Sequence, residues 1–266
     1  MMIFIIILLL ISLSISLLIY FLISLYKIND KYNYKYKNNL EKKLFTLYDF
    51  NYSNKNNSTF NLILPVNSKN NSCLIYFHGG YYKKEDKKDR SYFCSYLSNK
   101  FNIPIINANY SLSTKNKFPY QLNQAIELYN FIKNNFNYKK IYFGGDSSGA
   151  HLASLLSTKI QCDGLLLISG FYDIKNLSYF PFLNSSLNKL IGDDYKKYKY
   201  INELNVNGKN IKCNKIILIS GKNDLLHNES LKFYKKYHKN KKIKRIYLNC
   251  GHNCIIKNPN LLKKYF

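Results

Sequence analysis

Short apolar runs alternating with stretches of helical length constrain this chain more than any other feature. Leu74–Phe77, Ile103–Ala108, Ile141–Phe143, Leu165–Ser169, Ile216–Ser220 and Ile243–Leu248 are β-branched or aromatic runs bounded by Gly, Asn, Asp or Ser. Runs of that length and composition predict strands. Between them, Ser91–Phe101, Tyr120–Asn135, Gly149–Lys159 and Glu229–His238 predict helices. Strands alternating with helices build βαβ units, hence an α/β fold with a mostly parallel central sheet and helices on both faces. The 266 residues, 46% of them hydrophobic, suffice for one such domain with a sizeable core.

The alternation starts near Phe60. Ahead of it, Met1–Tyr26 carries no charged side chain. At ~1.5 Å rise per residue, roughly 20 apolar residues cross the hydrocarbon core of a bilayer, so this segment predicts a transmembrane signal anchor. A cleaved signal peptide would need a basic start, a shorter apolar run and a small-residue cleavage site. Nothing basic precedes the run, and the first alanine is Ala108. Lys27, Lys31, Lys35, Lys37, Lys42 and Lys43 follow it, which places the body on the cytoplasmic side by the positive-inside rule. The resulting organisation is an anchor over 1–26, a polar linker over 27–58 and the α/β domain over 59–266.

The formal net charge of +25 raises the question of nucleic acid. Only Arg90 and Arg245 are arginines, however, and the lysines are spread through the chain among Asn, Tyr and Ile. Arg is the side chain that grips phosphates and guanine edges bidentately. The charge is therefore a bias of the whole sequence, and no nucleic-acid partner is expected. The six cysteines are scattered apart from Cys250 and Cys254. Without paired CxxC knuckles, no metal site is expected, and the usage leans towards a reducing compartment.

The chemistry gathers at the carboxyl ends of the expected strands. In Ile141-Tyr-Phe-Gly-Gly145-Asp146-Ser147-Ser148-Gly149-Ala150-His151, a Gly-x-Ser-x-Gly motif lies between strand and helix. That order suits a nucleophile elbow, where glycines flank a serine raised above the sheet on a tight turn. A serine needs a base, and the base needs an orienting acid. His252 follows the last strand and can reach back to Ser147. Asp224 lies just past the preceding strand. The chain order Ser147, Asp224, His252 belongs to α/β-hydrolases. Asp173 is the rival acid, one strand too early, and reads as a turn residue. His227 and His238 lie on other segments, and His151 fills a helix–sheet interface.

Leu74-Ile-Tyr-Phe-His78-Gly79-Gly80-Tyr81 supplies the remaining part. Backbone N–H groups of Gly79 and Gly80, with that of Ser148, can receive an oxyanion, and His78 shapes the loop by hydrogen bonding. The long stretch Phe171–Cys213, with Phe171, Tyr172, Phe180 and Phe182, is a candidate lid or acyl pocket, or simply a helix with an apolar face.

His78-Gly79-Gly80, Gly145-Asp146-Ser147-Ser148-Gly149, Asp224 and Gly251-His252 together resemble the hormone-sensitive-lipase-like branch of the α/β-hydrolases, from about Cys73 to Ile256. The resemblance implies an α/β-hydrolase fold and hydrolysis of small-molecule or lipid carboxylic esters through an acyl-enzyme, with no cofactor. That family's loop often reads His-Gly-Gly-Gly, whereas Tyr81 holds the last place here. This aromatic, with Ser148-Gly-Ala-His-Leu after the elbow, is similar to kynurenine formamidases and prenylcysteine methylesterases. Ester and amide substrates both stay open, as does a non-catalytic, membrane-tethered binding module on the same fold.

Overall fold

The computed structural model describes residues 45–65, 71–174, 190, 204–206, 210–213, 215–239 and 242–265. All of them fall in one compact unit, Lys43–Phe266. The expected anchor Met1–Tyr26 lies outside the described residues, as do Phe180 and Phe182. Among the described residues, no helix is long and apolar enough to cross a membrane.

The strands among the described residues are β1 (Phe45–Asn51), β2 (Thr59–Leu64), β3 (Ser72–Phe77), β4 (Ile105–Ala108), β5 (Lys140–Asp146), β6 (Gly164–Ile168), β7 (Lys215–Gly221) and β8 (Lys242–Leu248). The α-helices among the described residues are α1 (Ser91–Phe101), α2 (Tyr120–Asn135), α3 (Ser148–Lys159), α4 (His227–Tyr237) and the single turn α5 (Cys254–Lys257). One eight-stranded sheet runs in the order β1-β2-β4-β3-β5-β6-β7-β8. Only the pairs β1–β2 and β2–β4 are antiparallel; the other five are parallel.

The sheet begins at Phe45, inside the stretch read from sequence as a linker over 27–58. The boundary at 59 is therefore too late. β1 (FTLYDFN) looks like a polar segment because, among the described residues, it lies at the sheet edge and pairs on one side only, with β2. Helices α1 and α2 match the sequence reading residue for residue, and α3 starts one residue earlier than expected.

Alternate strand residues feed two cores, one on each face of the sheet. Ile75, Phe77, Phe143, Leu165, Leu167 and Leu218 pack on one side with Leu128, Leu152 and Phe233. Leu74, Tyr76, Leu166, Ile168 and Ile219 pack on the other with Phe93, Leu97 and Ile255. Burial on both faces explains why these strands read as continuous apolar runs rather than alternating ones.

The chain leaves β3 for β4 on one side and returns to β5 on the other, so β3 and β5 flank the reversal point of the sheet. Ligands bind at such a point in open α/β sheets, beyond the carboxyl ends of the strands. The register pairs Phe77 with Gly145, which sets His78-Gly79-Gly80 beside Asp146-Ser147. β7 and β8 end together at Gly221 and Leu248, so the loops that carry Asp224 and His252 start side by side.

Candidate active site

Ser147 stands between β5 and α3 with φ 51° and ψ −117°. Positive φ in a residue with a Cβ costs of order 1–3 kcal/mol and persists only where its surroundings enforce it. Here they do. The Ser147 N–H donates to the Ile168 carbonyl at 2.9 Å, and its carbonyl accepts from the His151 N–H at 3.2 Å. The flanking glycines are required by space. A Cβ on Gly149 would lie 2.0 Å from the Phe77 carbonyl oxygen, and one on Gly145 would lie 2.4 Å from the Gly149 carbonyl carbon.

Two loops bring the other groups to this turn. His252 Nδ1 lies 2.8 Å from Asp224 Oδ1, and His252 Nε2 lies 3.2 Å from Ser147 Oγ. A carboxylate only accepts, so Nδ1 carries the proton and Nε2 is left to accept from the serine hydroxyl. The Leu226 N–H also donates to Asp224 Oδ1, at 2.8 Å, and fixes the buried carboxylate from its own loop. Burial pushes the Asp224 carboxyl up, but the hydrogen bond and charge of His252 outweigh it and hold the group below its ordinary range. Burial likewise opposes the imidazolium of His252, while Asp224 outweighs that and raises its pKa above 6.5.

The loop after β3 is unusual in its backbone. Gly80, Tyr81 and Tyr82 have φ of 102°, 59° and 60°, three left-handed residues in a row, two of them with side chains. His78 Nδ1 donates to the Gly79 carbonyl at 2.7 Å, and the Tyr110 hydroxyl donates to the His78 carbonyl at 2.7 Å. The imidazole of His78 stacks on Tyr110 at 4.4 Å. Burial lowers its pKa to about 4, so it stays neutral. Ser148 opens α3, where an N–H has no intrahelical acceptor.

Beneath this loop sits a buried ion pair that the sequence reading missed. Arg90 Nε donates to Asp146 Oδ1 at 2.8 Å and Nη2 to Oδ2 at 2.7 Å. Nη2 also reaches Glu85 at 2.6 Å, and the Tyr76 hydroxyl donates to Asp146 Oδ1 at 2.9 Å. A Cβ on Gly79 would lie 2.4 Å from Asp146 Oδ2, so the pair packs directly against the loop. The signal was present in composition: arginine appears twice among 40 basic residues. A rare Arg where Lys is the default marks a need for bidentate geometry.

The remaining histidines lie elsewhere. His227 begins α4 and contacts the Gly221 carbonyl at 3.1 Å; His238 ends α4 at the surface. His151 is buried in the interface of α3, as expected from its helical position. Phe171 and Tyr172, from the candidate lid, are buried, Phe171 stacking on His151 at 4.6 Å and Tyr172 against Phe233 at 4.3 Å. Cys250 and Cys254, on either side of His252, are joined as a disulfide, while Cys73, Cys94, Cys162 and Cys213 are buried outside any disulfide. Among the described residues, no group of three or more His, Cys, Asp or Glu could hold a metal ion.

A doubly covered sheet with a strained serine at its reversal point, facing a histidine and a buried acid, defines an α/β-hydrolase. The profile of the alpha/beta hydrolase fold family matches residues 74–255, and the chain belongs to this family. Kynurenine formamidase of Danio rerio is 28% identical over 156 residues, covering 54% of this chain and 50% of that protein. Kynurenine formamidase of Salmo salar is 26% identical over 125 residues, 44% of this chain and 40% of that protein. The matched stretch thus spans half or less of these curated relatives. Among solved structures, esterase B of Lactobacillus rhamnosis superposes with a TM-score of 0.73 at 19% identity, covering 88% of this chain and 86% of that one. At that identity the likeness speaks for the fold alone.

Proposed function

We propose that this protein is a serine hydrolase that cleaves carboxylic esters through an acyl-enzyme. The observation that carries the reading is the continuous line of hydrogen-bonding groups from Asp224 through His252 to Ser147 Oγ. His252 Nε2 takes the hydroxyl proton as Oγ attacks the ester carbonyl. The N–H groups of Gly79, Gly80 and Ser148 receive the oxyanion that forms. When the tetrahedral intermediate collapses, the C–O bond to the alcohol breaks, and His252 returns its proton to the leaving oxygen. Water then repeats the sequence on the acyl-enzyme, giving up a proton to His252 and releasing the acid with Ser147 restored. Asp224 keeps the imidazole in the required tautomer and balances its charge. The residues themselves supply the base, the nucleophile and the oxyanion donors of this scheme.

Amide or formamide cleavage by the same residues is the second reading, favoured by the similarity to kynurenine formamidases. The test is a fluorophosphonate probe with a panel of esters of graded acyl length and matched aryl formamides. Ser147→Ala should abolish labelling and lower turnover by about 10⁴- to 10⁶-fold. Faster formamide than ester cleavage selects the second reading. Equal labelling of wild type and mutant leaves a binding module on this fold.

We further propose that Met1–Tyr26 holds the enzyme at a membrane, in support of which the segment has no charged side chain. The full chain should sediment with membranes through salt and carbonate washes, and a chain beginning at Lys27 should not. Release by salt alone would mean attachment through the +25 charge instead.

A further inference from the structure

His151 lies outside the line of groups that does the chemistry, yet it touches three separate parts of the site. It stands one turn after Ser147 on α3, and its backbone N–H donates to the Ser147 carbonyl at 3.2 Å. Its Nε2 lies 2.7 Å from the Leu204 carbonyl, in the long connection between β6 and β7. Its Nδ1 lies 2.9 Å from the Tyr82 hydroxyl, in the loop that carries Gly79 and Gly80. A carbonyl can only accept, so Nε2 bears the proton, Nδ1 is the acceptor, and the Tyr82 hydroxyl donates. Both side chains are buried, with 0% and 2% exposure, so neither partner can be replaced by bulk water.

Tyr82 needs such a partner because of its backbone. It ends the left-handed run Gly80-Tyr81-Tyr82, a conformation that side chains disfavour and that outside contacts must impose. Its N–H donates to Ser148 Oγ at 3.2 Å, and its carbonyl accepts from the Ser113 N–H at 2.7 Å. Those two bonds fix the main chain; the hydroxyl bond to His151 fixes where the side chain pulls it. The Tyr82 ring also packs edge-to-face on Tyr110 and on His151, each at 5.9 Å between centroids. With its pKa lowered to about 4 by burial, His151 keeps the acceptor lone pair on Nδ1 throughout the neutral range.

We propose that His151 is a positioning residue: its neutral imidazole locks the oxyanion loop, through Tyr82, to the nucleophile helix and to the Leu204 segment. The N–H groups of Gly79 and Gly80 then keep their distance from Ser147 Oγ from one turnover to the next. This inference rests on the proposed function, since it assigns a role in stabilising the oxyanion.

The experiment uses the full chain, with kcat, KM and melting temperature measured on a short ester. Tyr82→Phe removes one hydroxyl and keeps the ring. It should lower kcat by about ten- to a hundredfold with little change in KM, because misplaced donors weaken the transition state more than substrate binding. His151→Asn and His151→Leu remove the same ring and are similar in size, but only Asn offers an oxygen to Tyr82. Asn should retain about tenfold more kcat than Leu at comparable melting temperature. Wild-type kcat in Tyr82→Phe overturns the inference, as does equal loss in Asn and Leu, which would mean simple packing. Wild-type turnover that is insensitive to Ser147→Ala overturns the proposed function and this inference with it. Ser147-dependent turnover with an unaffected Tyr82→Phe overturns the inference alone.

Discussion

Arg90 and Asp146 meet as a two-point ion pair, 2.8 and 2.7 Å, with 6% and 2% of their surfaces exposed and the carboxylate one residue before Ser147. Removing one member leaves the other charged and buried, which costs about 3–5 kcal/mol. Arg90→Met should therefore lower the unfolding free energy by that order, read from the urea midpoint at unchanged slope. A loss below about 1 kcal/mol would mean that water reaches Asp146 and the pair is not a structural tie. Because the pair also braces Gly79, the surviving folded fraction should turn over substrate more slowly than wild type.

The strain at Ser147 gives a second expectation. Glycine adopts φ 51°, ψ −117° without the clash that a Cβ suffers. Ser147→Gly and Ser147→Ala should both be inactive, but the glycine variant should be the more stable by about 1 kcal/mol. Equal stability in urea would show that the turn carries no strain to relieve.

Activity and stability should respond to pH in opposite directions near neutrality. In the proposed reaction His252 must be neutral to accept the Ser147 proton, so turnover should rise as pH climbs from 6.5 through its raised pKa. The paired imidazolium stabilises the fold, fully so below pH 6.5, and this contribution fades as pH rises through the same raised value. Asp224, held below 3.8, contributes stability above that pH and loses it as pH falls through its lowered value. His252→Gln should flatten both the activity limb and the stability slope from pH 6.5 up through the raised pKa of the wild type. A wild-type activity limb centred at or below 6.5 would contradict the pairing.

Two glycines near the site should behave differently. Gly149→Ala would push a Cβ to within 2.0 Å of the Phe77 carbonyl oxygen, so β3 and α3 must separate. A shift of about 1 Å there should lower kcat by about a hundredfold. Gly251, next to His252, has no positive φ, and a Cβ added to it would meet nothing within 4 Å. Gly251→Ala should stay within about 0.5 kcal/mol of wild-type stability, with turnover near wild type. Loss of turnover in Gly251→Ala would show that the loop of His252 must move through backbone states closed to alanine.

Much of the site can be read from the chain because its signals are local. An elbow is a strand, five residues with glycines at both ends, and a helix; an acid and a base each follow a strand within a few positions. Those patterns depend on backbone preferences over one or two turns, which sequence periodicity records. The order of the candidate residues Ser147, Asp224 and His252 is therefore legible, although the 3.2 and 2.8 Å contacts among them are not. β1 is hidden in the sequence because an edge strand of mixed polarity owes its form to its partner, not to its own pattern.

Local preference in the chain is enough to set the alternation of strands and helices, the tight turn at Ser147 and the groups able to do chemistry. Which distant groups pack against those residues is decided only when the chain is folded. Arg90 reaches Asp146 across 56 residues, and Tyr82 reaches His151 across 69. Such pairs depend on the register of β3 against β5 and on which residues share a buried face. Burial then makes each unpaired polar atom costly, so the fold selects partners that no local pattern announces.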